Sequence, residues 1–271
     1  MGPVWTRHRV SGGQGHPLEV WRLHRSPSSG VVVFLHGFGD DAWGTLPQAA
    51  SLPDWDAVGF TFRGRDRDPS IPCTLGGWER QDVAAVVRWL ESQGTPRSRI
   101  VLAAWSMGAG VALLALSDLE REGGPLGGAL LECPYQDLRA AARDHIRGAL
   151  HRWELLTRVA QRVALARLPD LAGVDPEAVN PAAAAQGLRT PMAFVTGDAD
   201  RITPAPGVRI IAGATADVTV VQGAGHCEAS SRLPGGWAGW VRPRLQRWGL
   251  TGTASSPRHP DPPPPVPASG G

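Results

Sequence analysis

Residues Ile100 to Gly110 read Ile-Val-Leu-Ala-Ala-Trp-Ser-Met-Gly-Ala-Gly, an apolar run that breaks at Ser106 and continues in small residues. A continuous apolar stretch of this length suits a strand covered on both faces, as in a parallel sheet. The small residues after it open a helix predicted over Met107 to Glu122. In such a strand-turn-helix, a sharp turn lifts the serine hydroxyl above the carboxyl edge of the sheet. It leaves room only for small neighbours two positions to either side. Gly108 meets that demand, and Ala104 meets it with one methyl more than the usual glycine. Ser106 is therefore the first candidate nucleophile.

Outward from this point the pattern repeats. Compact apolar runs bounded by turn residues predict strands at Val31 to Leu35, Ala57 to Phe62, Gly128 to Cys133, Met192 to Thr196 and Val218 to Gln222. Val4 to Val10 and Leu18 to His24, separated by Gly12, Gly13 and Gly15, read as a hairpin. An amphipathic helix follows at Glu79 to Gln93, with Val83, Val86, Val87 and Leu90 on one face. Strand and helix in alternation give an α/β fold, a mostly parallel sheet with helices on both faces.

Pro134 to Thr190 breaks the rhythm, with helical patterns only: a stripe of Leu138, Ala142, Ile146 and Leu150, then Trp153 to Leu168, then an Ala-rich piece ending near Gly187. An insertion of that length between strands reads as a small helical cap, about residues 134–190, over a site. Asp137 to Arg167 holds seven Arg against three acids, which a solvated helix face explains; the sharper reading is a basic rim for anionic substrates. The body is predicted over residues 1–250. The last stretch, residues 251–271, carries seven prolines and no apolar periodicity, so it is expected to be a disordered tail, with a weak polyproline-binding partner as its functional reading.

Composition removes whole chemistries. All 27 basic residues are Arg, so Schiff-base lysines and Lys-dependent phosphate loops are excluded. A formal net charge of +2 lacks the basic field of a nucleic-acid binder. Three widely spaced cysteines, Cys73, Cys133 and Cys227, spell neither a disulfide framework nor a CxxC metal pair, and they suit a reducing compartment. No run approaches the roughly 18 apolar residues of a membrane span, and the N-terminal segment has no apolar leader. The expectation is a cytoplasmic protein with no cofactor and no metal.

A nucleophilic serine needs a base, and the base needs a carboxylate to fix its tautomer. Gly223-Ala224-Gly225-His226 follows the last predicted strand, and Gly197-Asp198-Ala199-Asp200 follows the one before. Asp200 is preferred over Asp198 as the partner of His226, because it has cleared the turn at Gly197; Asp198 is expected to cap that turn. Glu132, at the end of another strand, is the next acid in line. His36-Gly37-Phe38-Gly39 follows the strand Val31 to Leu35, and the backbone N–H groups of Phe38 and Met107 are assigned as oxyanion donors. Cys227 reads as a half-buried apolar residue, and Trp105 and Trp78 as packing residues.

Together these four pieces resemble the α/β-hydrolase superfamily over Val4 to about Leu250, and its small bacterial serine esterase and aminopeptidase-like branch in particular. Phe62-Arg63-Gly64 is similar to the family's arginine-glycine turn, and Ile202-Thr203-Pro204 to the run after its acid. Arg65-Asp66-Arg67-Asp68 departs from relatives that carry a small residue and His there. The resemblance implies an eight-stranded sheet and a Ser106, Asp200, His226 acyl-enzyme mechanism on a small-molecule ester or thioester. A peptidase or amidase with the same three residues is the alternative within the class, and a non-catalytic binding protein the alternative outside it.

Overall fold

Eight strands form one sheet in the order β1-β2-β4-β3-β5-β6-β7-β8. The computed structural model describes residues 4–65, 71–142, 159, 162–163, 165–167, 169–170, 173–213 and 217–250. The strands are β1 Val4–Ser11, β2 Pro17–His24, β3 Val31–Leu35, β4 Asp56–Phe60, β5 Ile100–Trp105, β6 Gly128–Glu132, β7 Met192–Gly197 and β8 Asp217–Val221. The β1–β2 hairpin is antiparallel and joins β4 antiparallel, whereas every pairing from β4 to β8 is parallel. The α/β reading and its mostly parallel eight-stranded sheet therefore hold.

Three strand ends fall short of their predicted limits: β8 stops at Val221, one residue before Gln222, and the other two stop for physical reasons. Phe62 lies beyond β4 because its N–H donates to the His36 ring at 3.0 Å instead of to a neighbouring strand. Cys133 has φ of 46°, which no extended strand accommodates, so β6 stops at Glu132.

The two-residue period of a strand sends alternate side chains to opposite faces. Val31, Val33 and Leu35 of β3, with Ile100, Leu102 and Ala104 of β5, pack against the helices α2 (Glu79–Ser92) and α3 (Met107–Gly123). Val32, Phe34, Val101, Ala103 and Trp105 face the other way, onto Ala49 of α1 (Leu46–Ala50) and the C-terminal helix. A further helix, α4 (Ala205–Ala212), lies on the first side, and α5 (Gly236–Arg247) brings Trp237, Trp240, Val241 and Leu245 to the second. Both faces are covered, which is why the strands read as unbroken apolar runs.

Where its residues are described, the insertion packs on α3: Tyr135, Leu138, Leu165, Val174 and Val179 cluster with Leu114. Arg139 is exposed and pairs with Glu177. Ile146, Leu150, Arg143 and Arg147, most of Trp153 to Leu168, and the tail at residues 251–271 lie outside the described residues.

The arginine-glycine turn turns out to be a brace. Arg63 Nε donates to Asp82 Oδ2 at 2.7 Å and its terminal nitrogen to the Gly13 carbonyl at 2.6 Å, while the Gly13 N–H donates to Asp82 Oδ1 at 2.8 Å. Hairpin, β4 exit and α2 thus meet in one pair that is 5% and 0% exposed. Removing one partner strands a buried charge, so Arg63→Ala should cost about 3 to 5 kcal/mol in denaturant-melt stability. A loss under about 1 kcal/mol would show that the pair braces nothing.

Candidate active site

Ser106 stands between β5 and α3 with φ of 50° and ψ of −114°, a strained conformation for a residue with a Cβ. Three backbone bonds hold it there: its N–H donates to the Glu132 carbonyl at 2.9 Å, and its own carbonyl accepts from Ala109 and Gly110 at 3.1 and 3.2 Å. Gly108 is required by close approach. A Cβ at that position would lie under 3.0 Å from the carbonyl oxygens of Leu35 and His36. The extra methyl of Ala104 is buried in the sheet core.

The loop after β8 reaches the same point. Gly197, at the end of β7, lets it pack closely, since a Cβ there would run into the Ala224 backbone. Ala199 donates to the Ala224 carbonyl at 3.1 Å, and Asp198 Oδ1 accepts the Gly223 N–H at 2.7 Å. Asp198 therefore ties two loops together across 25 residues, where the sequence reading had it capping its own turn. The result is a relay: His226 Nε2 lies 2.8 Å from Ser106 Oγ, and His226 Nδ1 lies 2.8 Å from Asp200 Oδ2. Asp200 also accepts the N–H groups of Ile202 and Thr203 at 2.8 and 2.9 Å and the Thr203 hydroxyl at 2.9 Å.

Glu132, the reserve acid of the sequence reading, points elsewhere. It accepts the Ser230 N–H at 3.1 Å and hydroxyl at 2.5 Å, anchoring the short helix Ala229–Arg232 behind the His226 loop. Burial raises its carboxyl above the ordinary value against the pull of those bonds.

On the opposite wall is the turn after β3. The buried His36 has its Nδ1 2.7 Å from the Gly37 carbonyl, while its Nε2 accepts the Phe62 N–H. Nδ1 therefore carries the proton, and burial holds the ring's pKa below the usual histidine value. The sequence reading gave His36 no role; it is the clamp that fixes the Phe38 turn. A Cβ on Gly37 would sit 3.6 Å from the Ser106 Cβ, so the turn lies directly beside the serine. Met107 is the first residue of α3, a position whose N–H has no acceptor within the helix. Arg65 covers the Phe38 ring at 5.0 Å; Asp66 to Asp68 lie outside the described residues.

A cavity of about 610 Å³ opens over these groups, within the range for small-molecule sites. Its apolar wall is Trp105, Trp237, Phe38 and Ile202, and no Arg is among its described lining residues. Trp105 packs as expected, 6.3 Å from Phe34 and 5.8 Å from Trp237 between ring centroids, but it also lines the cavity. Cys227 departs from its reading as well: it is exposed, lines the cavity, and has its sulfur 3.2 Å from that of Cys133. Ligating atoms of Cys133, His226 and Cys227 lie within 4.8 Å of one another, a cluster invisible in the sequence because its cysteines are 94 residues apart.

Residues 32–233 match the alpha/beta hydrolase family. The chain belongs to that family. An acetyl-hydrolase of Streptomyces hygroscopicus is 31% identical over 172 residues, covering 60% of this chain and 54% of that protein, so the chain spans about half the length of this curated relative. Among solved structures, the Pyrococcus furiosus esterase Pf2001 superposes with a TM-score of 0.70 at 18% identity, covering 90% of this chain and 93% of its own. The esterase Est2 of Thermogutta terrifontis, solved with propionate bound, gives 0.66 at 18% identity over 90% and 94%. This alpha/beta hydrolase shares their fold; among its described residues no helix is long and apolar enough to cross a membrane.

Burial lowers the pKa of His226, and its hydrogen bonds to Asp200 and Cys133 outweigh that pull, leaving the imidazole above the ordinary histidine value. An NMR titration of the His226 ring should therefore give a midpoint above 6.5. Asp200→Asn removes the largest raising influence and should shift the midpoint downward. An unmoved midpoint would mean that Asp200 does not hold the ring.

Proposed function

We propose that this alpha/beta hydrolase cleaves carboxylic esters or thioesters through a serine acyl-enzyme. The observation that carries the reading is the relay of two 2.8 Å contacts, Ser106 Oγ to His226 Nε2 and His226 Nδ1 to Asp200 Oδ2, opening into one cavity. Ser106 Oγ attacks the acyl carbonyl while His226 Nε2 takes its proton. The backbone N–H groups of Phe38 and Met107 receive the developing oxyanion, an arrangement worth several kcal/mol in comparable sites. His226 then protonates the leaving alcohol or thiol, and water, deprotonated by the same nitrogen, releases the acid. Asp200 keeps Nδ1 protonated throughout and stabilises the imidazolium.

Substrate class follows from the walls. Trp105, Trp237, Phe38 and Ile202 offer apolar surface to a short acyl or aryl group, and Asp40 is the charged carboxylate on the lining. Neutral esters fit this lining better than anionic ones. The acetyl-hydrolase and esterase names of its relatives favour an ester over an amide. Three free thiols suit a reducing compartment, and we place the protein in the cytoplasm.

The reading is tested with a fluorophosphonate probe, then aryl esters and thioesters of graded acyl length beside a matched amide. Labelling at Ser106 and turnover of short neutral esters are expected. Ser106→Ala should abolish labelling and lower kcat by about 10⁴- to 10⁶-fold with the fold intact. Labelling without ester turnover but with amide cleavage would mark a peptidase, and no labelling at all a binding protein.

The two neighbouring acids separate in the same assay. Asp200→Asn should lower kcat by roughly 10⁴-fold, while Asp198→Asn should cost about 1 kcal/mol of stability and little turnover. The reverse pattern would reassign the acid.

A further inference from the structure

The end of β6 and the loop after β8 bring two thiols together beside His226. Cys133 Sγ and Cys227 Sγ are 3.2 Å apart; Cys133 is buried, while Cys227 is exposed on the cavity wall. The third thiol, Cys73, lies elsewhere, 3.5 Å from Met107 Sδ. Neither Cys133 nor Cys227 takes part in the proposed acyl transfer.

Backbone strain marks the same place. Among the described residues, five non-glycine residues have positive φ, and three of them are Ser106, Cys133 and Cys227, at 50°, 46° and 58°. Strain of this kind persists only where the surroundings over-determine it, and it gathers at functional sites. Here it turns both sulfurs toward one another from separate loops. A metal ion is the poorer occupant. Both ring nitrogens of His226 are already engaged, Nδ1 by Asp200 and Nε2 by Ser106, so a Cys-His-Cys site would have to break one of those bonds.

We propose that Cys133 and Cys227 are an oxidisable dithiol, a modification site for low-molecular-weight disulfides, whose closure displaces His226 and silences the site. The effect on turnover rests on the proposed function; formation of the bond does not. The Cys227 thiolate, reached through the open cavity, attacks the incoming disulfide, forming a mixed disulfide and expelling one thiolate. Cys133 Sγ then attacks Cys227 Sγ, forming the internal bond and expelling the second. Two protein thiols are oxidised, one external disulfide is reduced to two thiols, and two protons leave the cysteines. Burial holds the Cys133 thiol well above its ordinary pKa, and its proton passes to the thiolate expelled in the first step.

A disulfide draws its sulfurs to about 2.05 Å, which pulls Cys227, and with it the adjacent His226, toward the end of β6. A shift of about 1 Å at a reacting group costs on the order of 10²-fold in rate.

The test uses the full chain, oxidised glutathione and a metal chelator. Mass spectrometry after alkylation should find the Cys133 and Cys227 peptides linked and Cys73 still alkylated. Ester turnover should fall about 10- to 100-fold and return with dithiothreitol, and the His226 ring resonance should shift in step. Cys73→Ser should behave as wild type in linkage, and Cys133→Ser should stop at a glutathione adduct on Cys227. Ser106→Ala should form the link normally, which separates this inference from the hydrolase reading. Unlinked peptides in the oxidised protein would overturn the site. A linked protein with an unmoved His226 resonance would overturn the switch.

Discussion

Everything at the candidate site depends on the close contact between the start of α3 and the end of β3. Gly108 is pressed against the Leu35 and His36 carbonyls, and this forces Ser106 into its strained turn. The helix cannot retreat, because Ala109, Val111, Ala112 and Leu113 are wholly buried in the sheet core. Nor can the strand, held in parallel register on both sides by β4 and β5. The cost of one unfavourable backbone conformation is thus spread over a large apolar interface, and the hydroxyl stays aimed at His226.

Polar side chains, most of them buried, then carry the loops to that point. Glu132 fixes the short helix behind His226, Asp198 joins the β7 turn to the Gly223 loop, and His36 clamps the Phe38 turn to the exit of β4. Glu79 gathers the Thr74 and Gly76 N–H groups and the Thr74 hydroxyl in the same way, at the first residue of α2. Glu132, His36 and Glu79 each satisfy backbone donors that a loop would otherwise bury unpaired, at a cost of about 1 to 3 kcal/mol each, whereas the Asp198 tie is exposed. The apolar layers place the sheet; these few side chains place its loops.

That division explains what was legible beforehand. Strands β3 and β5 were read to the residue because burial on both faces leaves an unbroken apolar run with turn residues at each end. Ser106 and His226 stood out through their glycine-rich settings, and Asp200 through its distance past Gly197. The roles of His36, Asp198 and Glu132 were not legible. Each depends on which distant N–H group the fold delivers to it, and local spacing carries no trace of that. The thiol pair was hidden for the same reason, and Cys227 looked bland because its neighbour in space is remote in the chain.

The Ser106–His226 hydrogen bond spans 120 residues of chain, whereas His226 and Asp200 are separated by 26. Long-range closures of this kind come late in folding, since chain entropy must be overcome before the contact returns anything. Helices such as α2 and α3 require no such closure and give most of a circular-dichroism signal. A refolding chain will therefore recover its ellipticity well before it joins serine to histidine, and collapsed intermediates with native-like helix content will lack a working relay. For this fold, completion of the relay is the stricter measure of a native molecule.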